Sequence, residues 1–160
     1  MSNPEPRWLN EEEFRAWIGY RRMRLRLDAA VARDLLRTSG LSVPDYDVLS
    51  NLSDAPGQRA RLTELAAHML WSKSRLSRHI SRMEARGLVS REDDPTDARR
   101  ADILLTAKGR QAIVEAAPEH VESVRRYFID VLSAEQRGQF ADITETVLGS
   151  LPALSADSEG

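Results

Sequence analysis

Apolar residues recur along most of this chain at steps of three and four, the pattern of helices that bury one stripe. The first stripe runs through Phe14, Trp17, Ile18, Leu25, Leu27, Val31, Leu35 and Leu36 and stops at Gly40. Asn10 and Glu13 have the spacing of a capping box, and Glu11 to Glu13 suit the positive end of a helix dipole. The helix so predicted is long against a usual length of about 10–14 residues. A helix that cannot bury itself in one small core often packs against a partner chain. Pro44 sits in the first turn of a second helix, where its missing donor costs nothing; that helix carries Tyr46, Val48, Leu49 and Leu52.

The segment Ser53 to Arg61, with Pro56 and Gly57, reads as a surface loop. Thr63 is placed to cap a short helix to about Leu70, with Leu65, Ala66 and Met69 facing inward. After a tight turn at Trp71, Ser72 caps another helix, whose inward positions Leu76, Ile80 and Met83 are spaced four and three. Gly87 ends it, as a residue able to take positive φ. The pattern then changes to two strand-like runs, Leu88 to Arg91 and Ala101 to Thr106. The turn-rich segment Glu92 to Arg100 would join them as a β-hairpin. A second long helix starts at Ala107 and runs to about Leu132; Pro118 within it predicts a kink or local break. Ser133 with Gln136 forms another capping box, opening a last helix through Phe140, Ile143, Val147 and Leu148. The residues after Pro152 are small and polar, a flexible tail.

Charge changes this picture from a generic helical domain to a directional one. The net charge of −2 over 160 residues argues against a polyanion partner. Its distribution argues the other way. Residues 59–110 hold twelve Lys/Arg against seven Asp/Glu, a balance of +5, so the remainder carries −7. The helix after Trp71 is the focus, with Lys73, Arg75, Arg78, Arg82 and Arg86 against the single acid Glu84. Helix, tight turn, basic helix and strand pair form a winged helix-turn-helix arrangement. The second helix of such a unit enters the major groove and reads base edges with its N-terminal half. Ser74, Arg75, Ser77 and Arg78 are assigned to base or mixed contacts, and Lys73 and Arg82 to phosphates. Arg99 and Arg100, at the hairpin tip, are placed to reach a minor groove or the backbone.

The absence of cysteine excludes disulfides, thiolate metal sites and thiol redox sensing, and fits a cytoplasmic protein. No N-terminal apolar run resembles a signal peptide, and no stretch is long and apolar enough to span a membrane. His68, His79 and His120 lack metal-ligand spacing, and no Ser/His/Asp, paired-carboxylate or Gly-rich phosphate signature indicates an enzyme. No metal and no cofactor is expected.

The run LTELAAHMLWSKSRLSRHISRMEARGLVSREDDPTDARRADILLTAKG, residues 62–109, resembles the DNA-binding core of MarR-type (multiple antibiotic resistance) transcriptional regulators. The match includes the TELA opening, the ArGLVsR exit from the basic helix, the DPTDxR wing and the LTxKG start of the next helix. One long helix before the core and two after it match the family layout. The resemblance implies a mostly α fold with a small β-hairpin wing: a winged helix-turn-helix core over 44–106, dimerisation helices over 1–43 and 107–151, and a tail over 152–160.

It further implies a homodimer on a pseudo-palindromic operator in double-stranded DNA, acting as a repressor that a small-molecule ligand relieves. Arg99 corresponds to the family's wing arginine, and Asp97 to the acid that steadies the wing through an ion pair. In many members a small aromatic or acidic ligand enters a crevice between the dimerisation and DNA-binding parts. Trp17, Tyr20, Arg21 and His120 are candidates to line it, although an aromatic stripe at helical spacing more often belongs to a core or a dimer interface. The arginines between Arg21 and Arg26 fit either a face paired with a partner's acids or the wall of an anionic-ligand crevice. The alternative function is architectural, non-specific DNA binding without ligand control.

Overall fold

The computed structural model describes residues 5–152, apart from the side chains of Ala98 and Arg99. The tail expected after Pro152 lies outside the described residues. Helix α1 spans Glu11–Ser39, capped by the reciprocal Asn10 and Glu13 bonds and ended by Gly40 at φ 71°. Helix α2 spans Val43–Asp54, with Pro44 in its first turn and a capping box of Ser42 and Asp45. A 3₁₀ turn at Pro56–Gln58 leads to strand β1, Arg59–Arg61. Helices α3, Leu62–Met69, and α4, Lys73–Ala85, follow. Strands β2, Val89–Asp94, and β3, Asp97–Leu105, precede helix α5, Ala107–Val124. A π-helical turn over Arg125–Ile129 and helix α6, Ala134–Ser150, complete the chain.

The sheet is antiparallel, in the order β1-β3-β2. The loop expected over Ser53 to Arg61 therefore ends in a third strand, whose Ala60 pairs with Ile103. Three residues with no apolar alternation are too short to show a period of two. The hairpin is also longer than its apolar runs, because backbone pairing continues through charged pairs such as Glu92 with Asp102. Its turn is closed by the Asp94 carboxylate, which accepts from the Thr96 amide and hydroxyl. Helix α3 starts at Leu62, one residue before the expected cap Thr63, and the Glu64 carboxylate accepts from the Arg61 amide. Pro118 does not end α5, which continues for six more residues before the π turn.

One core holds the winged unit. Val48, Leu49 and Leu52 from α2, Leu65 from α3, Leu76, Ile80 and Met83 from α4, and Ile103 from β3 are almost fully buried. Leu35 and Ile113 connect that core to α1 and α5. Outside it the helices are bare. Phe14, Trp17, Tyr20 and Leu25 on α1 are exposed, as are Ile143, Val147 and Leu148 on α6, which buries no residue at all. Phe128 and Phe140 meet edge to face at 5.1 Å where the π turn passes α6.

Candidate nucleic-acid interface

Helix α4 divides cleanly. Leu76, Ile80 and Met83 are buried, while Lys73, Ser74, Arg75, Arg78 and Arg82 are exposed on the opposite side. The first turn of α4 has Lys73 and Arg75 and no acid. Cations there oppose the positive helix end, whereas a phosphate or a base acceptor is favoured there. Helices α1, α2, α3 and α6 each place an acid in their first turn, whereas α5, like α4, has none. The reversal at α4 costs a little helix stability and leaves an anion-seeking end.

Four of the site residues are fixed by neighbours. The Ser72 hydroxyl caps α4 by accepting from the Arg75 amide at 3.3 Å. The Arg75 guanidinium lies over the Trp71 ring at 3.7 Å. Ser77 is half-buried, and Arg91 from β2 donates to its hydroxyl oxygen and its carbonyl at 3.2 Å. That tie sets the hairpin against α4 and leaves the Ser77 hydroxyl proton to donate elsewhere. Arg82 stands 3.2 Å from Nδ1 of His79. Arg78 is exposed and projects from the helix. On the wing, Arg100 is exposed and its Nε lies 3.7 Å from Asp97 Oδ2, an ion pair across the turn. The side chain of Arg99 is outside the described residues.

The support for this face is a charged cluster at the foot of α4. Asp45 is 3% exposed. His79 Nε2 lies 3.1 Å from its Oδ1, close enough for electrostatic attraction but without the alignment of a good hydrogen bond. Arg86 donates to Asp45 Oδ2 at 2.7 Å and to the Gly40 carbonyl at 3.1 Å. Burial pushes the Asp45 carboxyl up, but His79, Arg86 and the amide and hydroxyl of Ser42 outweigh it and hold the group well below the usual carboxylate range. Helix α4 is thereby tied to the corner between α1 and α2. Sequence reasoning did not assign Asp45, Arg86 or Arg91 to this support. Arg86 and Arg91 stand inside ArGLVsR, so the motif held the signal, but their partners are 14 to 46 positions away.

The four candidates for a ligand crevice do not come together. Leu27, Val31, Val43, Val124, Phe128 and His120 line a mainly apolar crevice of about 610 Å³. Trp17, Tyr20 and Arg21 lie further up α1, exposed, with the Trp17 and Tyr20 rings stacked at 5.9 Å. At ~1.5 Å of rise per residue, Arg21 is ~9 Å along the axis from Leu27. His120 packs on Tyr46 at 4.2 Å, and its Nδ1 is buried without a partner among the described residues. Burial holds the ring below its ordinary pKa, against the pull of Asp47. Among the described residues no group of His, Asp and Glu is arranged to hold a metal, and no helix is long and apolar enough to cross a membrane.

Comparison with known proteins places this geometry. The family model described as MarR family matches residues 39–100. The transcriptional regulator HosA of Escherichia coli O111:H- is 35% identical over 111 residues, covering 69% of this chain and 79% of that protein. The structure of Sco3205, a MarR family transcriptional regulator from Streptomyces coelicolor in complex with DNA, superposes with a TM-score of 0.86 at 37% identity, covering 94% of this chain and 95% of the other. AbsC, a MarR family transcriptional regulator from the same organism, superposes at 0.81 with 38% identity, covering 91% and 100%. These relatives are regulators rather than enzymes.

Proposed function

The chain belongs to the MarR family of transcriptional regulators, and we propose that it works in the cytoplasm as a homodimeric, sequence-specific repressor on a pseudo-palindromic operator. The observation that carries this reading is the exposed cationic face of α4, with its two first-turn cations and no first-turn acid. Ser74, Arg75, Ser77 and Arg78 read base edges in the major groove, Arg75 and Arg78 by forked donation to guanine. Lys73 and Arg82 neutralise phosphates and set the register. Arg99, by its correspondence to the family's wing arginine, enters the minor groove; Arg100 flanks it, and Asp97 braces the turn.

The bare apolar faces of α1 and α6 support a dimer built from the terminal helices, so that residues 44–106 form the DNA-binding core between two dimerisation segments. The crevice beside His120 supports control by a small aromatic or acidic ligand. Its walls are mainly apolar, and His120 Nδ1, without a partner among the described residues, offers one polar contact. Trp17, Tyr20 and Arg21 then belong to the dimer face.

Selection from a randomised duplex library, followed by footprinting of the winning sequence, tests the reading. An inverted repeat with two half-sites about one helical turn apart is expected. Uniform coverage with no enriched sequence would leave only architectural binding.

A further inference from the structure

Arg75 has a neighbour whose position the DNA-reading assignment leaves unexplained. Trp71 lies in the turn between α3 and α4, half-buried against the core, and its ring is the plate on which the Arg75 guanidinium rests at 3.7 Å. The plate is itself fixed. The Trp71 amide donates to the Ala66 carbonyl at 2.9 Å, the His79 ring meets the indole edge to face at 5.6 Å, and Asp45 lies 3.1 Å from His79 on the far side. Leu70, just before it, is forced to φ 54°, a conformation that costs a non-glycine residue free energy and that places Trp71 under the first turn of α4. A buried carboxylate, an imidazole, an indole and a guanidinium are thus in contact in series from the core to the DNA-reading face.

We propose that Trp71 is a specificity-determining positioning residue: it holds Arg75 in the orientation that reads one base pair in each half-site. This rests on the proposal that α4 reads DNA. An exposed arginine side chain is rich in rotamers, and ordering it on binding costs free energy that a prior stack removes. Stacking occupies one face of the guanidinium and leaves its N–H edge free for the bidentate donation that guanine O6 and N7 accept. Among the described residues no aromatic ring lies under Arg78, so the effect belongs to Arg75 and to its base pair.

The test compares base preference in five proteins on the operator selected by the unaltered protein: that protein itself, Trp71→Ala, Trp71→Phe, Arg75→Ala and the Trp71→Ala/Arg75→Ala double variant. Each is measured against operators changed at single positions, with folding checked by circular dichroism. Arg75→Ala should abolish preference at one position per half-site. Trp71→Ala should weaken preference at that same position about 2- to 5-fold, as expected for an exposed cation–π contact, and spare the others. Trp71→Phe keeps an aromatic plate and should restore most of it. In the Arg75→Ala background, Trp71→Ala should remove nothing further from that position. Because preference is a ratio within one protein, a general loss of stability cancels. The proposal is overturned if Trp71→Ala lowers affinity equally for all sequences, or leaves preference intact, or adds to Arg75→Ala. If the unaltered protein selects no sequence at all, the DNA-reading assignment itself fails, a result separable from failure of the plate.

Discussion

Alanine at Gly109 should loosen the joint between the wing and the second long helix. A Cβ there would lie 2.0 Å from the Leu88 carbonyl oxygen and 2.9 Å from Leu105 Cδ1. Ordinary contact with a backbone atom begins near 3.4 Å, so β2 and α5 must part by about 1.4 Å. The neighbour is a main-chain carbonyl, which cannot swing aside as a side chain would. The joint is also where the Thr106 hydroxyl donates toward Gly87 O at 2.7 Å and Leu88 O at 2.9 Å, and accepts from the Gly109 amide at 2.9 Å. Overpacking of this kind costs ~1–3 kcal/mol. Loss of one or two hydrogen bonds adds ~1 kcal/mol each. Replacing a helical glycine returns ~1 kcal/mol, which leaves a net destabilisation of ~1–4 kcal/mol. Urea denaturation at fixed chain concentration measures it, concentration being held because the proposed dimerisation would be linked to folding. Gly138→Ala is the control. Gly138 lies half a turn away from the Phe140, Ile143 and Val147 stripe of α6 with nothing within 4 Å, so alanine there should be neutral or stabilise by up to ~1 kcal/mol. Equal midpoints for the two variants would refute the steric argument.

Arg78→Ala should weaken operator binding by ~1–3 kcal/mol and relax specificity at one base pair, whereas Lys73→Ala should weaken all sequences alike and lower the salt slope by ~1; binding titrations over a salt series distinguish them, and a uniform loss for Arg78→Ala would remove it from base readout. Asp45 is held below its ordinary value near 3.8 in the folded state, so its contribution to stability is complete above that value and is lost as pH falls through the lower folded one. Asp45→Asn should accordingly cost ~1–3 kcal/mol near neutrality and flatten the acid limb of the stability profile below pH ~4; an unchanged acid limb would show that the cluster does not carry this linkage. Deleting Met1 to Leu25 should dissociate the dimer in sedimentation, and a stable dimer would locate the interface elsewhere.

The elements that a reader of the sequence finds here are those whose signals are local. Asn10 with Glu13, Pro44, Ser72, and Ser133 with Gln136 each mark a helix start by side chains within three residues, and all four starts stand where the pattern puts them. Leu76, Ile80 and Met83 repeat at the helical period, so the buried side of α4 is legible and its charged side follows. Strand β1 is not legible, because its pairing partner in β3 is more than 40 positions away. The turn at Leu70 is misplaced by one residue for a related reason. It adopts positive φ without a glycine, and only tertiary packing sustains that. The exposed candidates Lys73, Arg75, Arg78 and Arg82 are found by charge, but what orients them is not. Arg91 behind Ser77 and Asp45 beneath His79 are contacts across elements, invisible to any period, while Trp71 under Arg75 is four residues away but in a turn whose geometry depends on Leu70. The crevice shows the converse error. Trp17 and Tyr20 share a helix with Leu27 and Val31, yet a rise of ~1.5 Å per residue carries them past it.

The pair of hydrogen bonds that Arg86 donates, to Asp45 and to the Gly40 carbonyl, has a consequence for the operator rather than for the protein. It fastens the end of α4 to the end of a helix of 29 residues, about 43 Å of rod. In a dimer joined through such rods, the separation of the two reading heads is set by the scaffold and has little slack. One extra base pair at the centre of the operator would move a half-site by ~3.4 Å and turn it by about a tenth of a revolution, so that intact half-sites would no longer face both heads at once. Such a dimer would measure spacing as strictly as it reads letters, and a promoter carrying the right half-sites at the wrong interval would escape the proposed control.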